Sequence, residues 1–182
     1  MSKYEIIAQA FGYAGLLSSF IAFQCKKHRN LMIFKTGNEV LFAIQYLMLA
    51  SYTGMAMNSI SSVRNIIFTY LVSKNKSTLP YQIVFGILFV VFGILTWDNI
   101  ISLAIIVAKI ITTVTYGVKN TKVVRFATIP VSSFWLIYNI SCSSQAGILC
   151  EVFTLVSIFT AIIRIDIIGK TKEKNNVNKL PQ

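Results

Sequence analysis

Acidic side chains and the usual ligands of metal ions are scarce in this sequence of 182 residues. It holds six Asp and Glu residues, one His and three Cys, against seventeen Lys and Arg residues. The sequence contains no His-Glu-x-x-His, Gly-x-Ser-x-Gly or P-loop motif and no cluster of carboxylates. We therefore expect no enzymatic activity, no catalytic residue, no bound metal and no cofactor.

Charged residues of both signs are also few, at 13% of the chain. Soluble domains carry about 25% charged residues. The chain is instead 55% hydrophobic with a mean hydropathy of +0.67, which predicts a polytopic membrane protein with the lipid bilayer as its partner. The sequence leaves open whether copies of the chain form a homo-oligomer.

The net charge of +11 is typical of two kinds of protein. Basic patches bind nucleic acids through their phosphates, and basic loops mark the cytoplasmic side of membrane proteins. Here the Lys and Arg residues cluster in short segments between apolar runs, which favours the second kind. We expect no nucleic acid partner.

Seven apolar segments are close to the roughly 20 residues that a transmembrane helix needs. They run at about 5–23, 31–50, 52–72, 81–96, 100–118, 126–141 and 148–168. Connections rich in Lys and Arg alternate along the chain with connections that hold neither residue. By the positive-inside rule this predicts a multi-pass protein with its N-terminus outside and its C-terminus in the cytoplasm.

The first three segments match the last three at an offset of 92 to 93 residues, which aligns Tyr46 with Tyr138, Gly54 with Gly147 and Asn58 with Glu151. Three helices in each repeat make the two repeats parallel. The sequence therefore predicts an all-α polytopic fold of seven transmembrane helices, built as two parallel three-helix repeats joined by a linker helix. Its predicted parts are a first repeat (1–79), a linker helix (80–98), a second repeat (99–168) and a disordered basic cytoplasmic tail (169–182).

The segment at 52–68 reads as a membrane helix, yet one of its faces is polar. At 100° per residue, that face holds Gly54, Asn58, Ser61 and Asn65, with Arg64 beside it. A polar stripe is costly in hydrocarbon, so we expect it to face other helices or a wet cavity.

Two resemblances follow from these features. The plan of three helices, one helix and three helices resembles the MtN3/SWEET sugar transporters and the PQ-loop superfamily. More closely, residues 8–165 are similar to the YgjV-like bacterial inner membrane proteins, through Gly12-Tyr13, Tyr52-Thr53-Gly54 with Asn58, and Arg64-Asn65. The second resemblance implies a location in the bacterial cytoplasmic (inner) membrane and adds no substrate.

Candidate substrate-binding residues follow from the first resemblance, since SWEET-like pockets pair an Asn on the third helix of each repeat with aromatic residues on the second. The matching residues are Asn58 with Phe42 or Tyr46, and Glu151 with Trp135 or Tyr138. An acid in place of the second Asn argues against simple sugar uniport. The full set of candidates is Asn58, Glu151, Trp135, Tyr138, Arg64, Lys109 and Gln45.

Two pairs of opposite charge lie within the segments. Glu39 and Arg64 fall at similar depth and are predicted to form a structural ion pair, the alternative being that Arg64 holds an anionic group of a substrate. Lys109 and Glu151 differ in depth by about 9 Å at 1.5 Å per residue. For this pair a structural contact, a proton relay coupled to transport and no contact at all stay open.

These features predict a transporter for a small polar solute, with a cavity near the membrane midplane between the two repeats. The alternative is a receptor or scaffold that does not transport. The receptor or scaffold is favoured because the Pro-Gln pair typical of PQ-loop helices is missing. Phe23-Gln24 and Tyr116-Gly117 stand at the matching positions. Substrate, direction and coupling ion do not follow from the sequence.

Overall fold

The computed structural model describes residues 3–24, 28–116 and 121–163. In these ranges the chain forms seven α-helices, which are α1 (Lys3–Gln24), α2 (His28–Met48), α3 (Tyr52–Ser73), α4 (Leu79–Leu95), α5 (Ile100–Tyr116), α6 (Thr121–Ser141) and α7 (Gln145–Ala161). The predicted tail at 169–182 lies outside the described residues.

The predicted starts of two helices are wrong. The helix α2 begins at His28 and α6 at Thr121, which is earlier than the apolar runs from which the helices were predicted. Hydropathy detects only the apolar part of a helix, whereas the helix itself continues into polar residues whose side chains reach water. As a result Pro130 lies inside α6.

The surface of the bundle is apolar and its interior is partly polar. Large apolar side chains such as Ile66 (61% exposed) and Leu95 (73% exposed) cover the outside, while Arg64 and Gln45 are completely buried. This is the reverse of the distribution in a protein surrounded by water and fits a helical membrane protein. By length and composition, one described helix passes the test for a membrane span, at Lys3–Ala22, and three shorter helices are apolar.

The helices pack in a regular order. The helix α2 contacts both α1 and α3, and α6 contacts both α5 and α7. Between these groups α1 contacts α7 and α3 contacts α5, while α4 packs against α3 and α5. The helices α3 and α5 therefore lie where the two groups meet.

The helix α4, predicted as a linker helix, also contributes to the core. Phe85, Phe89 and Gly93 are buried at intervals of four residues, whereas most of its other side chains are exposed. Intervals of four residues keep these three positions on one helix face. The helix therefore has one exposed apolar side and packs with the other side against α3 and α5.

Three helices end with the same motif, in which a residue other than glycine takes the left-handed conformation. These residues are Ala50, Asn75 and Ser143, with φ of 54°, 51° and 55°. After α2, the amide of Ser51 donates to the carbonyl of Tyr46 and that of Ala50 to Leu47, which is the Schellman pattern. After α6, Ser144 donates to Asn139 and Ser143 to Ile140, and each of these residues lies 93 positions after its counterpart in the α2–α3 turn.

This register corrects one detail of the sequence alignment. An offset of 93 residues throughout the turn aligns Tyr46 with Asn139, and not with Tyr138 as predicted. Tyr46 and Tyr138 are identical residues, but the backbone hydrogen bonds of the two turns match only at an offset of 93.

Replacing Ala50 with Gly is expected to stabilise the protein. The left-handed conformation costs a residue with a Cβ atom roughly 1 kcal/mol. Because Ala50 is exposed, removal of its methyl group loses no packing in the core. The melting temperature of the purified protein in detergent should rise. The same substitution at the exposed Ala10, inside α1, should lower stability by about 1 kcal/mol, and equal shifts of the same sign would contradict this explanation.

Candidate functional site

The polar face of α3 is buried, as the sequence predicted. Gly54, Asn58, Ser61 and Asn65 all point into the bundle, and the Arg64 side chain is completely buried beside them. The opposite face of the helix, with Val63 and Ile66, is exposed. The polar stripe therefore faces other helices and not the surroundings of the protein.

The Lys109 cluster, formed by Lys109, Glu39, Asn58 and Trp135, lies at the meeting point of α2, α3, α5 and α6. The Lys109 ammonium donates to Glu39 Oε2 at 2.9 Å and to Asn58 Oδ1 at 2.9 Å. It also lies 4.8 Å from the centroid of the Trp135 ring, within the range of a cation–π contact. Only 5% of the Lys109 side chain and 16% of the Glu39 side chain are exposed.

The charged residues are paired differently from the prediction. Glu39 forms its ion pair with Lys109 and not with Arg64. The Arg64 guanidinium donates to Thr113 Oγ1 at 2.8 Å and to Asn65 Oδ1 at 3.1 Å, and lies 5.6 Å from the Phe89 ring centroid. Both predicted pairs lay within one group of three helices, but α5 packs against α3 and brings the long Lys109 side chain between the groups.

Glu151 lies next to the Lys109 cluster. It is partly buried on α7, and its carboxyl group lies against the Ser132 hydroxyl of α6. Lys109 and Glu39 are within electrostatic range of it. Of the alternatives left open for Lys109 and Glu151, a direct ion pair is not seen among the described residues, where the Lys109 ammonium donates to Glu39 and Asn58 instead.

Four aromatic side chains form the aromatic layer, which shares Trp135 with the Lys109 cluster and consists of Phe42, Tyr46, Trp135 and Tyr138. The Tyr46 ring stacks on Trp135, with centroids 6.0 Å apart, and meets Tyr138 edge to face at 5.7 Å. The predicted residues Trp135 and Tyr138 are therefore brought together, 5.8 Å apart. Because α2 and α6 both contribute, the layer joins the two groups of helices.

Hydrogen bonds fix the aromatic layer to the turns that follow α2 and α6. The Tyr46 hydroxyl donates to Asn139 Oδ1 at 2.7 Å, and the Tyr138 hydroxyl accepts from the Gly54 amide at 2.8 Å. Gln45, a predicted substrate ligand, donates to Gln9 Oε1 at 3.0 Å and accepts from the Ser144 hydroxyl at 3.1 Å. These bonds tie α1, α2, α3 and α6 together at one end of the bundle.

Gln9 and Thr113 belong to this interior but were not among the predicted site residues. Gln9 bridges Gln45 and the Ser143 carbonyl, and Thr113 accepts from Arg64. Each had a signal in the sequence. Gln9 is a polar residue in an apolar segment, and Thr113 follows Lys109 by four positions and so shares its helix face.

Replacing Tyr46 with Phe is expected to destabilise the protein by about 1–3 kcal/mol. The substitution removes the hydroxyl that donates to Oδ1 of the Asn139 side chain and leaves this buried oxygen without that donor. The loss should appear as a lower melting temperature in detergent. Tyr70→Phe is the matched control, because the Tyr70 side chain is 58% exposed, and it should change little. Equal melting temperatures for the two variants would contradict the assignment of this hydrogen bond.

Two buried polar groups on α3 have no hydrogen-bond partner among the described residues. They are the Ser61 hydroxyl and the Asn65 side-chain nitrogen, four residues apart on the polar face. Leaving a buried donor unpaired costs about 1–3 kcal/mol. The polar face of α3 thus retains a capacity to donate hydrogen bonds. Within the described ranges, no group of three His, Cys, Asp or Glu side chains is placed to hold a metal ion.

Comparison with known proteins gives one match. No curated protein and no solved structure matches the chain significantly. A family described as bacterial inner membrane protein, which carries the name YgjV, matches residues 6–167. That range includes all seven helices except the first turn of α1, together with every residue of the Lys109 cluster and the aromatic layer. The chain therefore belongs to the YgjV family of bacterial inner membrane proteins.

Proposed function

We propose that this protein moves a small polar solute across the bacterial cytoplasmic membrane, along a path between α1–α3 and α5–α7. The observation that carries the proposal is the buried Lys109 cluster, in which charged groups from both sets of helices meet. Ionisable side chains are costly inside a membrane, and where they occur they commonly mark a substrate path or a proton relay. Glu151, close to this cluster, is the group that we assign to proton coupling.

The path would follow the axis between two parallel three-helix repeats, with α4 as the linker, in the manner of the MtN3/SWEET and PQ-loop superfamily. Exchange of the two repeats turns the α1–α7 contact into the α5–α3 contact, and both are present. The matching turns support the same relation. Tyr46 and Asn139, 93 residues apart, also bond to each other, as expected of equivalent residues on a two-fold axis.

All seven helices would cross the membrane, with the N-terminus outside and the C-terminus in the cytoplasm. Lys74 and Lys76 follow α3 at one end of the bundle, and the turns at Ala50 and Ser143 lie at the other end. The positive-inside rule assigns the first end to the cytoplasm. In this orientation the aromatic layer lies on the outer side of the Lys109 cluster and closes the path from outside.

The solute would bind on the inner side of the aromatic layer. Asn58 and Glu151 would accept hydrogen bonds from it, Trp135 and Tyr138 would stack against it, and Lys109 would exchange its present contacts for new ones. Arg64, Ser61 and Asn65 add further donors on α3. Gln45 would hold the closed outer end together. This set suits a molecule rich in acceptors, such as a sugar, a nucleoside or a vitamin-like compound.

The experiment is a screen of melting temperature for the purified protein against sugars, nucleosides and vitamins, followed by uptake of any hit into proteoliposomes. A ligand of the folded state raises the melting temperature by mass action. Asn58→Ala and Glu151→Gln should abolish both the shift and the uptake. Ser59→Ala is the matched control, because Ser59 neighbours Asn58 but is exposed. Undiminished uptake by folded Asn58→Ala and Glu151→Gln variants would end this version of the proposal.

A receptor or scaffold without transport is the second candidate, and it is favoured by the dense interior. Met57, Phe89 and Ile105 are completely buried at the meeting point of the two helix groups. The Pro-Gln pairs that would provide hinges are replaced by other residues. This function predicts a protein partner at the cytoplasmic loops and no uptake of any solute.

A further inference from the structure

A groove of about 610 Å³ lies on the surface where α3 ends and α4 begins. Ile66 and Ile67, one turn before Leu71, form its apolar wall on α3. The Ile66 side chain is 61% exposed and Leu71 closes the inner side of the groove. The volume is within the range of about 300–1,000 Å³ that is typical of sites for small ligands.

The open end of the groove is basic and polar. Lys76 and Ser77 of the α3–α4 loop line it, together with the side chains of Tyr70 and Tyr81. The Ser77 oxygen accepts a hydrogen bond from the Leu79 amide, so that its hydrogen is available to another acceptor. Aromatic residues with a polar tip, together with Lys, are typical of the level of the lipid headgroups.

The backbone of the loop holds Lys76 in place. Asn75 is in the left-handed conformation, the Lys76 amide donates to the Leu71 carbonyl at 2.9 Å, and the Asn75 amide donates to Val72 at 3.1 Å. This is a complete Schellman motif. The motif fixes the backbone of Lys76 beside the groove. Lys74, two residues earlier, does not line the groove.

Neither α3 nor α4 carries an acidic residue. The sequence between Glu39 and Asp98 holds no Asp or Glu, although it includes Arg64, Lys74 and Lys76. The charge at the mouth of the groove is therefore positive and is not balanced by a carboxylate from either helix. A basic mouth above an apolar wall is complementary to a molecule with an anionic head and a hydrocarbon chain.

We propose that this groove binds an anionic phospholipid of the leaflet next to the α3–α4 loop. The phosphate lies at the Lys76 ammonium, with the Ser77 hydroxyl as a second donor, and an acyl chain runs along Ile66 and Ile67. Basic pockets between membrane helices on the cytoplasmic side are known to bind anionic lipid headgroups. This binding does not depend on whether the protein transports a solute.

The test is native mass spectrometry of the detergent-solubilised protein, titrated with phosphatidylglycerol and with phosphatidylcholine of the same acyl chains. Phosphatidylglycerol should bind more tightly. Lys76→Gln should lower the affinity for phosphatidylglycerol about fivefold, as expected for the loss of one Lys charge at a lipid surface. Lys74→Gln should change this affinity little. Both residues lie in the exposed loop, so both variants retain the fold.

Three outcomes would overturn the proposal. The first is equal affinity for the two lipids. The second is an equal loss in Lys74→Gln and Lys76→Gln, which would indicate attraction by overall charge and not a site. The third is displacement of the bound lipid by glycerol phosphate alone, which would indicate a site for a soluble phosphate. In Ile66→Trp the larger side chain would occupy the apolar part of the groove. This variant should weaken phosphatidylglycerol binding without changing the charge of the protein.

Discussion

Replacing Lys109 with Met is expected to lower the free energy of unfolding by about 3–5 kcal/mol, the usual cost of removing one partner of a buried ion pair. Met has a similar volume, so the loss would come mainly from charge and hydrogen bonding. It leaves the Glu39 carboxylate without its cation and Asn58 without its donor. A 16% exposed Glu39 side chain places the effect near the lower end of this range.

The double variant Glu39→Gln/Lys109→Met separates the charge effect from packing. Because both charges are removed, it should be more stable than Lys109→Met alone, which a double-mutant cycle of melting experiments measures. Lys3→Met, at the exposed start of α1, is the control for loss of one positive charge. If the stability change of the double variant equals the sum of the changes for Glu39→Gln and Lys109→Met, the Lys109–Glu39 contact does not stabilise the protein.

Replacing Gly54 with Ala is expected to destabilise the protein by about 1–3 kcal/mol, as overpacking of a core usually does. A Cβ atom there would lie 2.7 Å from Tyr138 Cε1, 2.8 Å from the Tyr138 hydroxyl and 3.0 Å from Tyr46. Both rings belong to the aromatic layer, and the hydroxyl would lose its bond to the Gly54 amide. The higher helix propensity of Ala offsets only about 1 kcal/mol of this cost.

Gly86→Ala is the matched control for Gly54→Ala. Both glycines lie within helices, but a Cβ atom at Gly86 would meet no other atom within 4 Å. Its melting temperature should stay the same or rise, while that of Gly54→Ala falls. If both variants are stabilised, α3 and the aromatic layer are not in the close contact described above.

The helices and the polar face of α3 were predictable because both follow from local periodicity. Runs of apolar residues separated by charges set the number of helices, and positions four and three residues apart placed Asn58, Ser61 and Asn65 on one face. Hydropathy did not give the true starts of α2 and α6, because the polar ends of a helix carry no apolar signal.

Partners of the charged residues were not predictable, because they depend on which helices touch. Depth along the membrane normal favoured Glu39 with Arg64, yet α5 lies against α3 and supplies Lys109 instead. Depth is a single coordinate, and a pair also requires the two helices to be neighbours. The aromatic layer shows the same limit, since Trp135 and Tyr138 were matched with Glu151 of their own repeat, whereas their contact with Tyr46 crosses between the two groups of helices.

The proposed solute path runs beside the polar face of α3, so the accessibility of Ser61 to water decides whether such a path opens. Ser61 is completely buried and its hydroxyl has no partner in the described structure, so Ser61→Cys changes little else. It would be made in a chain whose three Cys residues are replaced by Ser. A charged thiol reagent that does not cross membranes is then applied to cells and to inside-out vesicles.

We expect Ser61→Cys to react with the reagent in the inside-out vesicles, where the cytoplasmic side is exposed, because the aromatic layer closes the outer side in the orientation proposed above. Val63→Cys, on the same helix but 52% exposed on its apolar face, should not react because lipid covers it. A ligand found in the melting screen should slow the reaction at Ser61→Cys. If Ser61→Cys is unreactive from both sides, like Val63→Cys, no path opens along α3 and the protein is not the transporter proposed here.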